Sequence, residues 1–307
     1  MVSWKTNRRK TIKHITRVLF FVILAIITAV ITILVEKQIN NQDTKPEPEE
    51  IIQNEKQPKI EEPKIKEIDF QPVIDEWVNS IGGSKSVQIY DLELKAIVGQ
   101  YNTEEKFSMA SLYKLFVVYE GYRRIENKTW QENTKVGNTN HTIIECLDLA
   151  IRESNSECAE PLWRIIGQAE LQNIIETEYG ITETNLINLT SNVKDITKML
   201  QLFYAHPDVH SETLINRMED SFLNQPITTY NWRQGLPSGF NIAKVYNKVG
   251  WDYNPDAKKW NIYNDAAIIK FTDQKRDFIV VIMTNNVNYQ DITKLGNMIE
   301  QKFLSMY

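Results

Sequence analysis

One stretch decides how the whole chain is interpreted: FSMASLYKLFV, residues 107–117. It has the pattern of an amphipathic helix start, yet it places Ser111 and Lys114 three residues apart, so that both side chains share one helix face. A lysine takes the proton of a serine hydroxyl when burial and neighbouring cations keep its amine neutral. The backbone N–H of Ser111, at the helix start, is also placed to face an oxyanion. The stretch therefore predicts a nucleophile and its base.

The same spacing occurs a second time, at Ser191 and Lys194. That copy lies in a polar helix start with Asp195 nearby, where a serine or threonine cap is the better explanation. The spacing alone is therefore weak, and the surrounding sequence has to choose between the two copies.

Composition sets broad limits on function. The chain has 307 residues, is 42% hydrophobic and carries a formal net charge of −5, so it can fill a core but offers no general attraction to nucleic acid. Its two cysteines, Cys146 and Cys158, form at most one bridge, and two buried free thiols are the favoured interpretation.

The N-terminal part predicts a membrane anchor. Residues 18–35 carry no charge and as a helix would span about 27 Å. Residues 1–17 precede this run and are basic, which keeps them in the cytoplasm and sends the rest of the chain across the membrane. A cleaved signal peptide is the alternative, but no small-x-small site follows the run. Residues 36–67, rich in Pro, Glu and Lys, then predict a disordered tether.

Residues 68–307 predict one α+β domain. A helix near FQPVIDEWVNSIGG is followed by two strands, a mostly helical block from 111 to about 206, three β-rich segments and a final helix. These elements assemble into a five-stranded antiparallel sheet flanked by the first and last helices, with the helical block as a second lobe. The functional cleft is expected between the lobes.

Two further motifs accompany Ser111 and Lys114 in chain order. Ser154-Asn-Ser156 lies between two helical patterns, and Lys248-Val-Gly250 follows a GLPSG turn into a predicted strand. With these motifs, the chain from about residue 70 resembles the penicillin-recognising serine enzymes, most closely the class A β-lactamases, whose motif set is S-x-x-K, S-D-N and K-T-G. Asn264-Asp265 in the following segment also resembles the next strand of that family.

The resemblance implies a role for each motif residue. Ser111 would be the acylated nucleophile, Lys114 its base and Ser154 a proton relay to the leaving nitrogen. Lys248 would steady a substrate carboxylate, and Ser156 stands where the family has an asparagine that holds a substrate amide. The oxyanion hole would be the backbone N–H groups of Ser111 and of Trp251, which follows Gly250. Each also has a plain structural alternative: Ser154 as a helix cap, Lys248 as a solvated strand lysine, and Gly250 as a bulge residue.

The chain departs from the family pattern at three places. The glutamate that hydrolyses the acyl-enzyme has only a loose counterpart in Glu183, on a loop that is short. Val249 lacks the hydroxyl that would contact a substrate carboxylate, and Ser156 is shorter than asparagine. Each lost polar contact costs about 1–3 kcal/mol when its partner stays buried.

The sequence thus predicts a monomeric, membrane-anchored serine hydrolase that acts outside the cytoplasm on a β-lactam or a D-alanyl peptide of the cell wall. The alternative is a degenerate extracytoplasmic binding or sensor domain. No cofactor or metal is expected: His206 and His210 have the spacing of a metal pair, but Pro207 breaks the helix that such a pair needs. Four aromatic residues could line a cleft rim or simply pack: Trp232, Trp251, Tyr253 and Trp260.

Overall fold

The computed structural model describes residues 66–226 and 230–307. The predicted anchor, 18–35, and nearly all of the predicted tether lie outside these residues. Among the residues that are described, no helix is both long and apolar enough to cross a membrane.

The described chain alternates a sheet with a helical block. The helices are α1 (Gln71–Ser80), α2 (Tyr113–Glu126), α3 (Ile143–Arg152), α4 (Ser156–Ile166), α5 (Gln168–Thr177), α6 (Val193–Ala205), α7 (Glu212–Leu223) and α8 (Tyr289–Leu304). The strands are β1 (Ser84–Asp91), β2 (Ala96–Tyr101), β3 (Phe107–Ser108), β4 (Thr190–Ser191), β5 (Lys244–Asn254), β6 (Lys259–Phe271) and β7 (Arg276–Asn285). Short 3₁₀ helices cover Ala110–Leu112 and Leu236–Gly239.

The main sheet has five strands in the order β2-β1-β7-β6-β5, and every neighbouring pair is antiparallel. This confirms the predicted five-stranded antiparallel sheet and its α+β class. The structure adds a two-stranded ladder, β3 with β4, which the sequence did not predict because each strand has only two residues. The strand β5 lies at the edge of the sheet, beside the helical block.

Both faces of the sheet are buried, because side chains alternate along each strand. In β7, Ile279, Val281 and Met283 pack into the core of the helical block. Phe278, Val280 and Ile282 pack on the opposite face, against the terminal helices. On that second face lie Ile74 and Trp77 of α1 and Leu295, Ile299 and Phe303 of α8. The first and last helices therefore cover one face of the sheet, as predicted.

Helix starts in the block follow local capping chemistry. Thr142 and Glu145 form a capping box at α3. Asn155 caps α4 and Asn192 caps α6, each accepting a backbone N–H with its side-chain oxygen. The cap predicted near Ser191 is therefore the neighbouring asparagine, and the cap of α4 is not Ser154.

Candidate active site

Ser111 lies in a tightly fixed turn at the start of α2. The preceding residue, Ala110, has a left-handed backbone with φ 45°. The segment entering the turn is tied on two sides: the N–H of Met109 donates to the carbonyl of Leu189 at 2.7 Å, and the amide of Asn264 donates to the carbonyl of Ser108 at 2.8 Å. These bonds hold the backbone that leads into Ser111.

Lys114 is fully buried, and its amine contacts three serines. Its Nζ lies 3.0 Å from Ser111 Oγ and 3.1 Å from Ser156 Oγ. It also donates to the carbonyl of Ser154 at 2.5 Å and lies 3.3 Å from the hydroxyl of that residue. The predicted nucleophile and base are therefore in direct hydrogen-bond contact.

Burial changes the acidity of this amine. Desolvation lowers the pKa of Lys114 to about 8, and the negative charge of Glu160 partly opposes that shift. Near neutral pH a useful fraction of Lys114 is therefore uncharged, as a base that activates a serine must be.

Ser154 stands between two lysines. Its backbone is left-handed, with φ 56°, in the turn that joins α3 to α4. Non-glycine residues persist in this conformation when the surrounding structure fixes them. Its hydroxyl accepts from Lys248 at 2.9 Å as well as contacting Lys114 at 3.3 Å. The turn thus presents one hydroxyl to both amines, a suitable geometry for passing a proton.

A disulfide joins the helices on either side of this turn. Cys146 of α3 and Cys158 of α4 are bonded, with their Cα atoms 4.8 Å apart. The favoured interpretation of two free thiols was therefore wrong. Spacing could not reveal the bond, because the tight turn at Ser154 is what brings the two helices together.

The disulfide predicts a measurable contribution to stability. Replacing both cysteines by alanine should lower the free energy of unfolding by about 2–4 kcal/mol, since the bond restricts the unfolded chain. Urea denaturation of the full chain and of C146A/C158A, in the same detergent, measures the difference. Two free thiols in the denatured, unreduced wild type, or equal denaturation midpoints, would contradict it.

Lys248 of β5 is buried, with 1% of its surface exposed, so it is not a solvated strand lysine. Its amine donates to the carbonyl of Val249 at 2.6 Å and to Ser154 Oγ at 2.9 Å. Burial and the nearby charge of Lys114 lower the pKa of Lys248 well below its usual value, while Asp265 opposes the shift. A ligand carboxylate beside this amine would favour its charged form again.

Gly250 is where β5 passes closest to the Ser111 turn. A Cβ at this position would lie 2.3 Å from the carbonyl oxygen of Met109 and 2.8 Å from Cγ of Leu112. Only glycine permits this approach. The strand therefore brings Trp251, the next residue, to the cleft beside Ser111.

An open cleft of about 320 Å³ exposes Ser111 to solvent. Its lining includes Ser111, Tyr113, Ser156, Glu160, Trp163, Arg164, Trp251 and Asp252. A larger groove of about 720 Å³ runs along β2, but none of the motif residues lines it. We therefore assign the candidate site to the smaller cleft.

Aromatic rings extend from the cleft along β5 and β6. Trp251 is in ring contact with Trp232 at 5.5 Å and with Tyr263 at 5.0 Å between centroids. Tyr230 links Trp260 to this group, with its ring 5.1 Å from Trp232 and 5.5 Å from Trp260, and Trp260 contacts Tyr253 at 5.7 Å. The indole N–H of Trp232 donates to the carbonyl of Glu153 at 3.1 Å, which ties the cluster to the Ser154 turn. The four aromatic residues singled out from sequence thus lie in one cluster, and Trp251 also lines the cleft.

The structure separates two other sequence candidates from the cleft. Glu183 forms an ion pair with Lys106 at 3.1 Å and is not among the residues that line the cleft. In the second Ser-x-x-Lys copy, Ser191 Oγ bonds the hydroxyl of Thr184 at 2.7 Å and Lys194 pairs with a glutamate. That copy therefore lacks the serine–lysine contact seen at Ser111.

Sequence reasoning missed Glu160 and Tyr113 as cleft residues. Glu160 lies four residues after Ser156 on α4, so helical spacing could have placed both on one face. Among residues 66–226 and 230–307, no group of three His, Cys, Asp or Glu residues is arranged to hold a metal ion.

Comparisons with known proteins agree with this geometry. A model of the β-lactamase enzyme family matches residues 69–303. An ancestral class A β-lactamase (GNCA) has a TM-score of 0.66 at 15% identity, over 76% of this chain and 99% of its own. A β-lactamase from Xanthomonas campestris has a TM-score of 0.66 at 13% identity, over 76% of this chain and 97% of its own. A class A β-lactamase representative from Bacteroides cellulosilyticus has a TM-score of 0.65 at 13% identity, over 77% of this chain and 99% of its own.

No curated protein sequence matches the chain. At these identities the solved structures establish the fold alone, which is that of serine hydrolases of the β-lactamase type. The family model covers most of the chain, and the chain belongs to the β-lactamase enzyme family.

Proposed function

We propose that this protein is a membrane-anchored serine hydrolase that forms an acyl-enzyme on Ser111 with β-lactams or D-alanyl peptides. One observation carries the proposal: the buried amine of Lys114 lies 3.0 Å from Ser111 Oγ, and its pKa is lowered to about 8. A serine held against a partly neutral lysine in an open cleft is an activated nucleophile.

The first half-reaction uses the groups around that pair. Ser111 Oγ attacks the carbonyl carbon of the substrate while Lys114 takes its proton. The backbone N–H groups of Ser111 and Trp251 stabilise the oxyanion. As the carbon–nitrogen bond breaks, the Ser154 hydroxyl donates its proton to the leaving nitrogen and is reprotonated by Lys114, which lies 3.3 Å away.

Two further residues orient the substrate in this scheme. Lys248 contacts Ser154 Oγ at 2.9 Å, where its charged form would attract the carboxylate that β-lactams and D-alanyl peptides share. Ser156 lines the cleft and offers a hydroxyl to a substrate amide. No step requires a metal or cofactor.

The proposed location follows from the N-terminal sequence. The uncharged run 18–35 and the basic residues before it favour a single-pass helix with the N-terminus in the cytoplasm. The tether 36–67 would then allow a monomeric domain to reach cell-wall peptides close to the extracytoplasmic face of the membrane that holds the anchor. The negative net charge gives no support to nucleic acid as a partner.

A second candidate function is a binding or sensor domain without turnover. The observations that favour it are Val249, which has no side-chain hydroxyl, and Glu183, which is paired with Lys106 away from the cleft. Such a domain would bind the same ligands reversibly through Lys248 and Ser156.

A penicillin distinguishes the two functions. The full chain in detergent is mixed with benzylpenicillin, and intact mass is followed over time. The enzyme proposal expects a covalent gain equal to the mass of the penicillin, since ring opening loses no atoms. Saturable binding with no covalent mass, and no loss of penicillin from solution, would contradict the enzyme and support the binding domain.

A further inference from the structure

An acyl-enzyme that turns over needs a group that activates water for its hydrolysis. Glu183, the nearest sequence counterpart, is paired with Lys106 and does not line the cleft. The described residues offer two carboxylates that do line it with Ser111, namely Glu160 and Asp252.

Glu160 is the better placed of the two. It lies on α4 one helical turn after Ser156, whose hydroxyl contacts Lys114 at 3.1 Å, so it shares the face that carries this contact. Its carboxylate pairs with Arg164 at 3.1 Å, but both side chains are more than half exposed, so the pair is weakly held.

The negative charge of Glu160 also acts on the ionisable groups beside Ser111. Its charge raises the pKa of Lys114 against the larger effect of burial. It likewise adds to the effect of burial in raising the pKa of Tyr113, another cleft residue, to about 12. Asp252 is not among the groups that shift the pKa of Lys114 or of Tyr113. Its carboxylate instead accepts the N–H of Tyr253 at 2.9 Å.

We infer that Glu160 is the general base that hydrolyses the acyl-enzyme, a role that rests on the proposed acylation of Ser111. Glu160 lines the same open cleft as Ser111 and its side chain is half exposed, so solvent water reaches it. The residue that drives hydrolysis of the acyl-enzyme would then lie on α4, the helix that begins directly after the Ser154 turn.

The proposed hydrolysis passes through a tetrahedral intermediate on Ser111. Glu160 takes one proton from water, and the resulting hydroxide oxygen bonds to the acyl carbon. The tetrahedral intermediate then collapses, breaking the bond to Ser111 Oγ. Lys114 receives the proton held by Glu160 and delivers it to Oγ, which lies 3.0 Å from its amine. The products are the free carboxylic acid and the original enzyme.

Glu160→Gln tests this inference, because glutamine keeps the shape of the side chain but cannot take a proton. Full-length wild type and variant are mixed with benzylpenicillin in detergent, and adduct formation and decay are followed by intact mass. We expect adduct formation within about threefold of wild type and decay slowed by about 100-fold or more, the usual contribution of a general base.

Two control variants distinguish a general base from the simple loss of a negative charge. Glu157→Gln removes an exposed carboxylate from the same helix, and Glu183→Gln removes the residue that the sequence offered as the base. Both should release the adduct at close to the wild-type rate. A control variant as slow as Glu160→Gln would show that loss of a negative charge is enough to slow release, and would overturn the inference.

The outcomes for the two proposals are distinct. If wild type forms no adduct and consumes no penicillin, the acylation proposal fails and this inference falls with it. If wild type forms and releases an adduct, but Glu160→Gln releases it equally fast, only the inference fails. A wild-type adduct that never decays, or a Glu160→Gln variant that forms none, would likewise overturn the assignment of Glu160 to hydrolysis.

Discussion

Replacing Ser111 by alanine is expected to abolish the penicillin adduct and to lower turnover by about 1,000-fold or more, since removing a serine nucleophile eliminates the covalent pathway. The fold should persist in this variant. Lys114 keeps its contacts with Ser154 and Ser156. The turn is held by a backbone bond to Leu189 and by the side-chain amide of Asn264, neither of which involves the lost hydroxyl.

Ser191→Ala is the matched control for this experiment, because it removes the serine of the second Ser-x-x-Lys copy. Its hydroxyl bonds Thr184 and lies away from the Ser111 cleft, so acylation should remain close to wild type. Intact-mass time courses of the three proteins, at equal concentrations of penicillin, provide the comparison. Adduct formation on Ser111→Ala, or its loss in Ser191→Ala, would contradict the assignment.

Replacing Lys114 by methionine is expected to slow acylation by about 100- to 10,000-fold, the range that positioned general bases contribute. Methionine has a similar length and suits a fully buried site, but it cannot accept the proton of Ser111. Ligand binding should be reduced less than acylation, because Lys248 and Ser156 remain. The measurement is the rate constant for adduct formation at saturating penicillin, compared with the affinity obtained from its concentration dependence.

The pH dependence of acylation provides a second measurement of the same role. Because burial lowers the pKa of Lys114 to about 8, the neutral amine becomes the major form as pH rises above that value. Acylation by wild type should therefore increase with pH through about 8 and then level off. Lys114→Met should lose this step. An unchanged step in the variant would show that another group is the base.

Much of the fold was predictable because the signals are local. The five strands of the main sheet are β-rich segments bounded by turns, and the helices that cover it have clear apolar faces. The ladder of β3 with β4 was not predictable, since Phe107–Ser108 and Thr190–Ser191 are two-residue segments far apart in the sequence, and their pairing depends on tertiary structure. The bond between Cys146 and Cys158 also depends on tertiary structure, in this case the turn at Ser154.

The candidate site was predictable where motif and spacing agree. Ser111 and Lys114 lie within one helical turn, so their contact follows from local geometry. The short Lys248-Val-Gly250 motif has little information of its own, and its meaning depends on the close approach of β5 to the Met109 carbonyl. Glu160 was missed because a glutamate on an amphipathic helix is usually a solvated residue. Only the assembled cleft brings it near Lys114.

The position of the penicillin adduct shows directly whether Ser111 is the nucleophile. The full chain is exposed to benzylpenicillin, quenched rapidly in acid, digested and analysed by tandem mass spectrometry. We expect the added mass on Ser111, in the segment FSMASLYK. Added mass on Ser154, Ser156 or a lysine, with Ser111 unmodified, would contradict it.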